Sequence, residues 1–306
     1  MQQQDWRGVF PAITTPFNDD LTVDHRFLRE HTTWLVDRGC TGIVALGSLG
    51  EGATLAFDEK VAVLESCRAA LGTRVPLVAG IGALSTAEAV ALARAAQRVG
   101  CDGLMVLPPY VYRGDWRETK AHMDAVISAT SLSCMLYNNP IAYGIDFVPA
   151  QIEELCGHAN LHAVKESSAD IRRVTAIREL IDDRLAIFVG VDDLIVEGIA
   201  AGAVGWIAGL VNALPEASVR VFELARSGGA EAARELYEWF LPLLRLDTVP
   251  KFVQLIKLVQ QEVGMGRETV RGPRATLQGA EREATLALIH RQLACDPMAT
   301  AASRAP

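Results

Sequence analysis

LHAVKESSADIRRVTAIRELI, residues 161–181, reads as one strand followed by one helix. The first part, LHAVKES (161–167), is a short apolar run broken by a single lysine, Lys165. The second part, from Asp170 to Ile181, has apolar residues at helical spacing. An apolar run of this length without strict alternation suits a strand buried on both faces, as in a parallel sheet. The same unit recurs along the chain. Further strand-like runs are GVFPAITTP (8–16), GIVALG (42–47), VPLVAGIG (75–82), GLMVLPP (103–109), SCMLYNN (133–139), AIFVGVD (186–192) and AVGWIAG (203–209). Helical segments separate them. His25 to Asp37 places Phe27, Leu28, His31, Leu35 and Val36 on one face, and Gly39 stops it. Asp58 to Leu71 behaves similarly. Thr86 opens TAEAVALARAAQRVG, with Ser85 or Thr86 as its cap and Gly100 as its end.

Eight such units predict an α/β chain folded as a TIM (β/α)8 barrel over residues 1–225. A doubly wound sheet is the competing architecture, but no GxGxxG follows the first strand. Residues 226–295 are helical in pattern: AARELYEWFLPLLRL (232–246), PKFVQLIKLVQQEVG (250–264) and AEREATLALIHRQL (280–293). They predict a C-terminal helical extension packed on the barrel. The last stretch, 296–306, is small and polar and is expected to be disordered.

Composition narrows the function classes. The 306 residues are 50% hydrophobic, and the net charge is −8. No basic stripe is visible, which argues against a nucleic-acid partner. The start, MQQQDWRG, lacks the apolar core of a secretion signal, and no run reaches membrane-span length. The six cysteines have irregular spacing and no CxxC pair. The expectation is a soluble, cytoplasmic protein in a reducing compartment. His158 and His162 are the closest approach to a metal-ligand spacing, and the segment between them reads as a loop, so no metal site is expected.

In a TIM barrel, chemistry sits at the C-terminal ends of the strands. Those ends carry Gly47-Ser48-Leu49-Gly50-Glu51, Pro108-Pro109-Tyr110, Tyr137-Asn138-Asn139-Pro140, Lys165, Gly190-Val191-Asp192-Asp193 and Gly205-Trp206-Ile207-Ala208-Gly209. Lys165 stands out. Complete burial lowers a lysine pKa from about 10.4 by up to ~3–5 units. The use for such an amine is attack on a carbonyl to form a Schiff base. The plainer alternative is an amine that reaches out to pair with Glu166 or Asp192. The neighbours favour the first. N–H groups of the Ser48-Leu49 turn can hold the carboxylate of a 2-oxo acid, Lys165 can attack the adjacent ketone, and Tyr137 can shuttle protons. Each neighbour also has a structural role open to it. Ser48 can cap a helix, Tyr137 and Tyr110 can pack, Glu51 can brace the turn, and Asn138 and Asn139 can shape a loop.

The segments PAITTPF (11–17), GSLGEGATL (47–55), MLYNNP (135–140), AVKESSAD (163–170) and GVDD (190–193), in this order, resemble the dihydrodipicolinate synthase/N-acetylneuraminate lyase superfamily of class I aldolases. The likeness runs over about residues 8–295. It implies that Lys165 is the Schiff-base lysine, that Tyr137 is the proton-relay phenol, and that Ser48 binds carboxylate and aligns that phenol. It also implies no cofactor, no metal, and a homotetramer built as a dimer of dimers. The candidate substrate contacts are Gly47, Leu49, Tyr110, Tyr143, Gly190, Asp192, Ile207 and Asn212, with Asp193 a further hydroxyl reader.

Three positions depart from the synthases of that superfamily. Leu49 replaces the second of two threonines. Ala142 stands where an arginine grips a second carboxylate. The PYY segment that supplies a second relay tyrosine across the subunit interface reads Pro109-Tyr110-Val111, leaving Tyr112 or Tyr143 as substitutes. Without a bidentate partner for a second carboxylate, lysine biosynthesis is disfavoured. The expected activity is a lyase on a 2-keto-3-deoxy sugar acid or related hydroxy-oxo acid, by retro-aldol cleavage to pyruvate or by dehydration. The alternatives are 4-hydroxy-tetrahydrodipicolinate synthesis, or deamination of a cyclic hydroxy-imino acid such as 1-pyrroline-4-hydroxy-2-carboxylate.

Overall fold

Eight parallel strands line up as a barrel wall in this computed structural model, which describes residues 1–298. The strands are β1 (Gly8–Pro11), β2 (Ile43–Ala45), β3 (Leu77–Ile81), β4 (Gly103–Val106), β5 (Ser133–Asn138), β6 (Leu161–Glu166), β7 (Ala186–Val189) and β8 (Gly205–Ala208). Each pairs with its sequence neighbour, and β1 pairs with β8. A parallel bridge between Ala12 and Val44 joins the remaining gap between β1 and β2. The helices alternate with the strands: α1 (His25–Asp37), α2 (Phe57–Leu71), α3 (Thr86–Val99), α4 (Trp116–Ile127), α5 (Pro140–Tyr143), α6 (Pro149–Leu155), α7 (Arg172–Ile181) and α8 (Ile195–Ala200). The extension comprises α9 (Pro215–Leu244), α10 (Phe252–Glu262) and α11 (Gly279–Ala294).

The element boundaries follow from local chemistry. Ser85 caps α3 by accepting from the Glu88 N–H, and Gly100 ends it in the left-handed region. The hydrogen-bonded strands are shorter than the apolar runs because the C-terminal ends leave the ladder. Leu46 turns to φ 65°, which stops β2. Pro108 and Pro109 lack the N–H groups that would continue β4. These departures free the backbone at the barrel mouth. At the opposite end Trp6, Phe10 and Phe188 fill the interior, with the Phe10 and Phe188 rings 5.3 Å apart.

Helix α9 runs through residue 226 and breaks its helical path at Gly229 (φ 74°). The extension is anchored to the barrel mouth by Lys257 of α10. Its ammonium donates to Glu51 at 2.6 Å and to the Thr15 and Thr269 carbonyls at 2.8 Å. No helix among the described residues is long and apolar enough to cross a membrane. Of the expected disordered tail, Asp296, Pro297 and Met298 are partly buried, with Met298 against the core. The rest of it, from residue 299, lies outside the described residues.

Candidate active site

Strand register brings the two principal groups together. Tyr137 of β5 pairs directly with Lys165 of β6. Both point inward, since side chains alternate along a strand and Asn138 and Glu166, the next pair, lie on the outer face. The Lys165 ammonium sits 4.2 Å from the centre of the Tyr137 ring. Lys165 is 6% exposed. Among the described residues no carboxylate forms an ion pair with it. Glu166 is occupied elsewhere: it accepts from the Asn138 amide at 3.0 Å and from the Ser168 N–H at 2.6 Å. Burial raises the Glu166 pKa against those hydrogen bonds.

The loop after β5 fixes the phenol. Asn139 caps α5 by accepting from the Ala142 N–H, and its amide donates to the Tyr137 hydroxyl at 3.0 Å. Asn138 accepts from the Phe147 N–H and donates to Asp146, which Arg173 holds from α7. The asparagine pair therefore shapes the loop and one of them orients the tyrosine. Helix α5 ends on Tyr143, and that residue enters the site. Its hydroxyl forms a short hydrogen bond with the Ser48 hydroxyl. Its ring meets Tyr137 edge-on at 5.7 Å and Tyr110 at 5.3 Å. Ser48 is thus bonded to Tyr143, and Tyr137 is bonded to Asn139. Burial, then the neighbouring Tyr137 and Tyr110 phenols, push the Tyr143 pKa well above its ordinary value. The Tyr143 phenol is therefore held in its neutral, hydroxyl-bearing form. Tyr112 lies outside the group, exposed and bonded to Glu118.

The turn after β2 completes the mouth. The N–H groups of Ser48 and Leu49 have no acceptor among the described residues. Two adjacent free N–H donors beside a hydroxyl can hold a carboxylate. The Leu49 side chain is buried and contributes packing. Glu51 (φ 52°) braces the turn from below, held by Lys257 and by the Arg271 N–H at 3.0 Å.

The β7–β8 side divides differently. Gly190 lies against Lys165; a Cβ there would meet Lys165 Cε at 2.6 Å and Ser167 Oγ at 2.0 Å. Ile207 is buried on β8. Asp192 is fully buried, and its carboxylate accepts from the Gly209 and Leu210 N–H groups at 2.9–3.1 Å. Burial still raises its pKa to about 6, and the Lys165 charge lowers it in part. Asn212 is fully engaged: it donates to the Ala12 and Gly209 carbonyls and accepts from the Thr14 N–H. Asp193 pairs with Arg245 at 3.5 Å. Asp192 and Asn212 therefore staple β8 to its neighbours and have little capacity left for a ligand. Two groups absent from the sequence-based candidates do have it. The Ser167 hydroxyl and the Asp247 Oδ1 are both shielded from solvent without a hydrogen-bond partner. Ser167 was legible as the residue two after Lys165 on the same strand face. Asp247 was not, because it comes from the turn Arg245–Asp247 after α9, in the extension.

The profile of the Dihydrodipicolinate synthetase family matches residues 5–292. A 4-hydroxy-tetrahydrodipicolinate synthase of Methanothrix thermoacetophila is 34% identical over 285 residues, covering 92% of this chain and 95% of its own. Another, of Bartonella bacilliformis, is 31% identical over 278 residues, covering 90% and 95%. Among solved structures, a putative dihydrodipicolinate synthetase from Pseudomonas aeruginosa superposes with a TM-score of 0.89 at 30% identity, covering 94% of this chain and 99% of its own. The dihydrodipicolinate synthase of Acinetobacter baumannii, solved with pyruvate, superposes with a TM-score of 0.88 at 28% identity, covering 94% and 98%.

Proposed function

Since the chain belongs to the dihydrodipicolinate synthetase family and is an enzyme of the class I aldolase type, we propose that it is a Schiff-base lyase of hydroxylated 2-oxo acids. The observation that carries this reading is the placement of Lys165, unpaired and against the face of Tyr137, in one barrel mouth with the free N–H groups of Ser48 and Leu49. The substrate carboxylate binds those N–H groups and the Ser48 hydroxyl. Lys165, once its ammonium has given up a proton, attacks the C2 ketone, and the carbinolamine loses its oxygen as water. Tyr137 carries the proton onto the departing oxygen. The resulting iminium accepts the electron pair released at C3. In retro-aldol cleavage that pair comes from the C3–C4 bond as the C4 hydroxyl loses its proton, leaving an aldehyde and an enamine that hydrolyses to pyruvate. In dehydration it comes from a C3–H bond and then expels the C4 hydroxyl as water.

In this reading Tyr137 handles the proton at the carbinolamine, while Tyr143 and Ser48, hydrogen-bonded to each other within the same subunit, stand beside it. Tyr143 takes the place of a second relay tyrosine donated by a neighbour. The proposed assembly is a homotetramer, a dimer of dimers. No cofactor is required by any of these steps.

Synthesis of 4-hydroxy-tetrahydrodipicolinate is the second reading, favoured by the names of the relatives. It needs a cation for a second carboxylate. Ala142 offers none, but Arg113 lies against Gly144, where a Cβ would meet its guanidinium carbon at 2.2 Å. The two readings separate in one assay. The enzyme is given a 4-hydroxy-2-oxo acid in one arm, and pyruvate with aspartate semialdehyde in the other. Release of pyruvate, or of the dehydrated oxo acid, in the first arm supports the lyase. Consumption of both substrates in the second arm, with nothing in the first, replaces it with the synthase.

A further inference from the structure

Asp247 presents an unused acceptor to the barrel mouth from outside the barrel. Its carboxyl reaches over the end of β8 because residue 209 is glycine: a Cβ there would meet Oδ1 at 2.0 Å. Oδ1 is shielded from water and finds no donor. An unsatisfied buried acceptor is costly, so its persistence points to a partner that arrives with the ligand. The charges facing it are Lys165, Asp192 and Asp193. Asp192 accepts from backbone N–H groups and Asp193 pairs with Arg245, and a carboxylate has no donor to offer Asp247. Burial first, and then Asp192, push the Asp247 pKa well above the ordinary carboxylate range.

The positions of the other groups define what that ligand offers. The carboxylate of a 2-oxo acid takes the N–H groups beside β2, and its C2 is held at Lys165 on β6. The rest of the molecule then extends toward β7 and β8, where Asp247 waits. We infer that Asp247 is a specificity-determining residue that accepts a hydrogen bond from a hydroxyl of the substrate chain beyond the imine carbon. This rests on the Schiff-base role of Lys165 and goes further, by specifying a hydroxylated chain with no second carboxylate at that end. Asp192 and Asp193 would repel an added negative charge there, and a bare methylene would leave Oδ1 without a partner.

The test is capture of two matched acids, 4-hydroxy-2-oxopentanoate and 2-oxopentanoate, by borohydride on the full-length protein. The adduct mass identifies the acid captured, a pyruvate adduct counting with the hydroxylated acid from which it is cleaved, and its dependence on concentration gives a half-saturation value for each. The wild-type protein should favour the hydroxylated acid by about tenfold or more, the worth of one hydrogen bond to a buried carboxyl. Asp247→Ala should bring the ratio of the two values to near one, and Asp247→Asn, which keeps a side-chain oxygen, should retain part of the preference. A wild-type ratio of one, or an unchanged ratio in Asp247→Ala, overturns the inference. Should Asp247→Ala fail to fold, the wild-type ratio and the Asp247→Asn ratio decide by the same criteria. Failure of the wild-type protein to capture either acid overturns instead the Schiff-base reading on which the inference stands.

Discussion

The hydroxyls of Ser48 and Tyr143 are hydrogen-bonded to each other across the barrel mouth, from the turn after β2 to the end of α5. This contact links the turn that carries the free Ser48 and Leu49 N–H groups to the tyrosine cluster. Tyr143 also stands edge-on to Tyr137, so the three residues form one connected group around Lys165.

Removing one hydroxyl from that group should slow chemistry more than capture. Tyr143→Phe keeps the ring contacts with Tyr137 and Tyr110 and deletes the hydroxyl that bonds to Ser48. Turnover of a 4-hydroxy-2-oxo acid should fall by about 10²-fold or more, the usual contribution of a positioned acid or base. Pyruvate should still be trapped on the variant by borohydride. Unchanged turnover, measured as product per second at saturating substrate, would remove Tyr143 from the relay.

Gly190 is the point at which one methyl group should disable the amine. A Cβ there would lie 2.6 Å from Lys165 Cε, inside any tolerable contact, so Lys165 must swing away from Tyr137. A displacement of about 1 Å can cost about 10²-fold in rate. Gly190→Ala should therefore form the borohydride adduct at least that much more slowly while its circular dichroism stays as in the wild type. An adduct rate equal to wild type would show that the amine does not need this position.

Lys257 and Glu51 form a buried pair, with side chains 2% and 0% exposed. It joins the extension to the turn that carries Ser48. Lys257→Met leaves a carboxylate buried without its cation, and should lower stability by about 3–5 kcal/mol. Adding Glu51→Gln should recover part of that loss. Urea unfolding of the two variants and the wild type measures both effects. A single variant as stable as wild type would mean that Arg271 and Arg274 suffice to hold Glu51.

The barrel was legible in the sequence because its strands are buried on both faces and read as continuous apolar runs, each followed by a helical period. The ends of those runs were less legible, since leaving the ladder depends on backbone turns such as Leu46 at φ 65°. Lys165, Tyr137 and Ser48 could be named because each interrupts or terminates an apolar run with a reactive group. Their pairing could not. Whether Ser48 meets Tyr137 or Tyr143 is set by how α5 folds back after Pro140, and Asn139 decides it by capping that helix while holding Tyr137. Asp192 and Asn212 were plausible ligand readers by position at strand ends, yet backbone groups that no sequence pattern announces engage both. Asp247 gave no signal at all, because a solitary aspartate in a helical extension is ordinary and only the glycine at 209 lets it reach the mouth.

The most direct measurement is intact and peptide mass spectrometry after incubation with pyruvate and borohydride. The protein should gain the mass of one reduced pyruvate adduct, and fragmentation should place it on Lys165, with none on the Lys165→Ala variant. No adduct on the wild-type chain, or one carried by another lysine such as Lys257, would contradict the central claim.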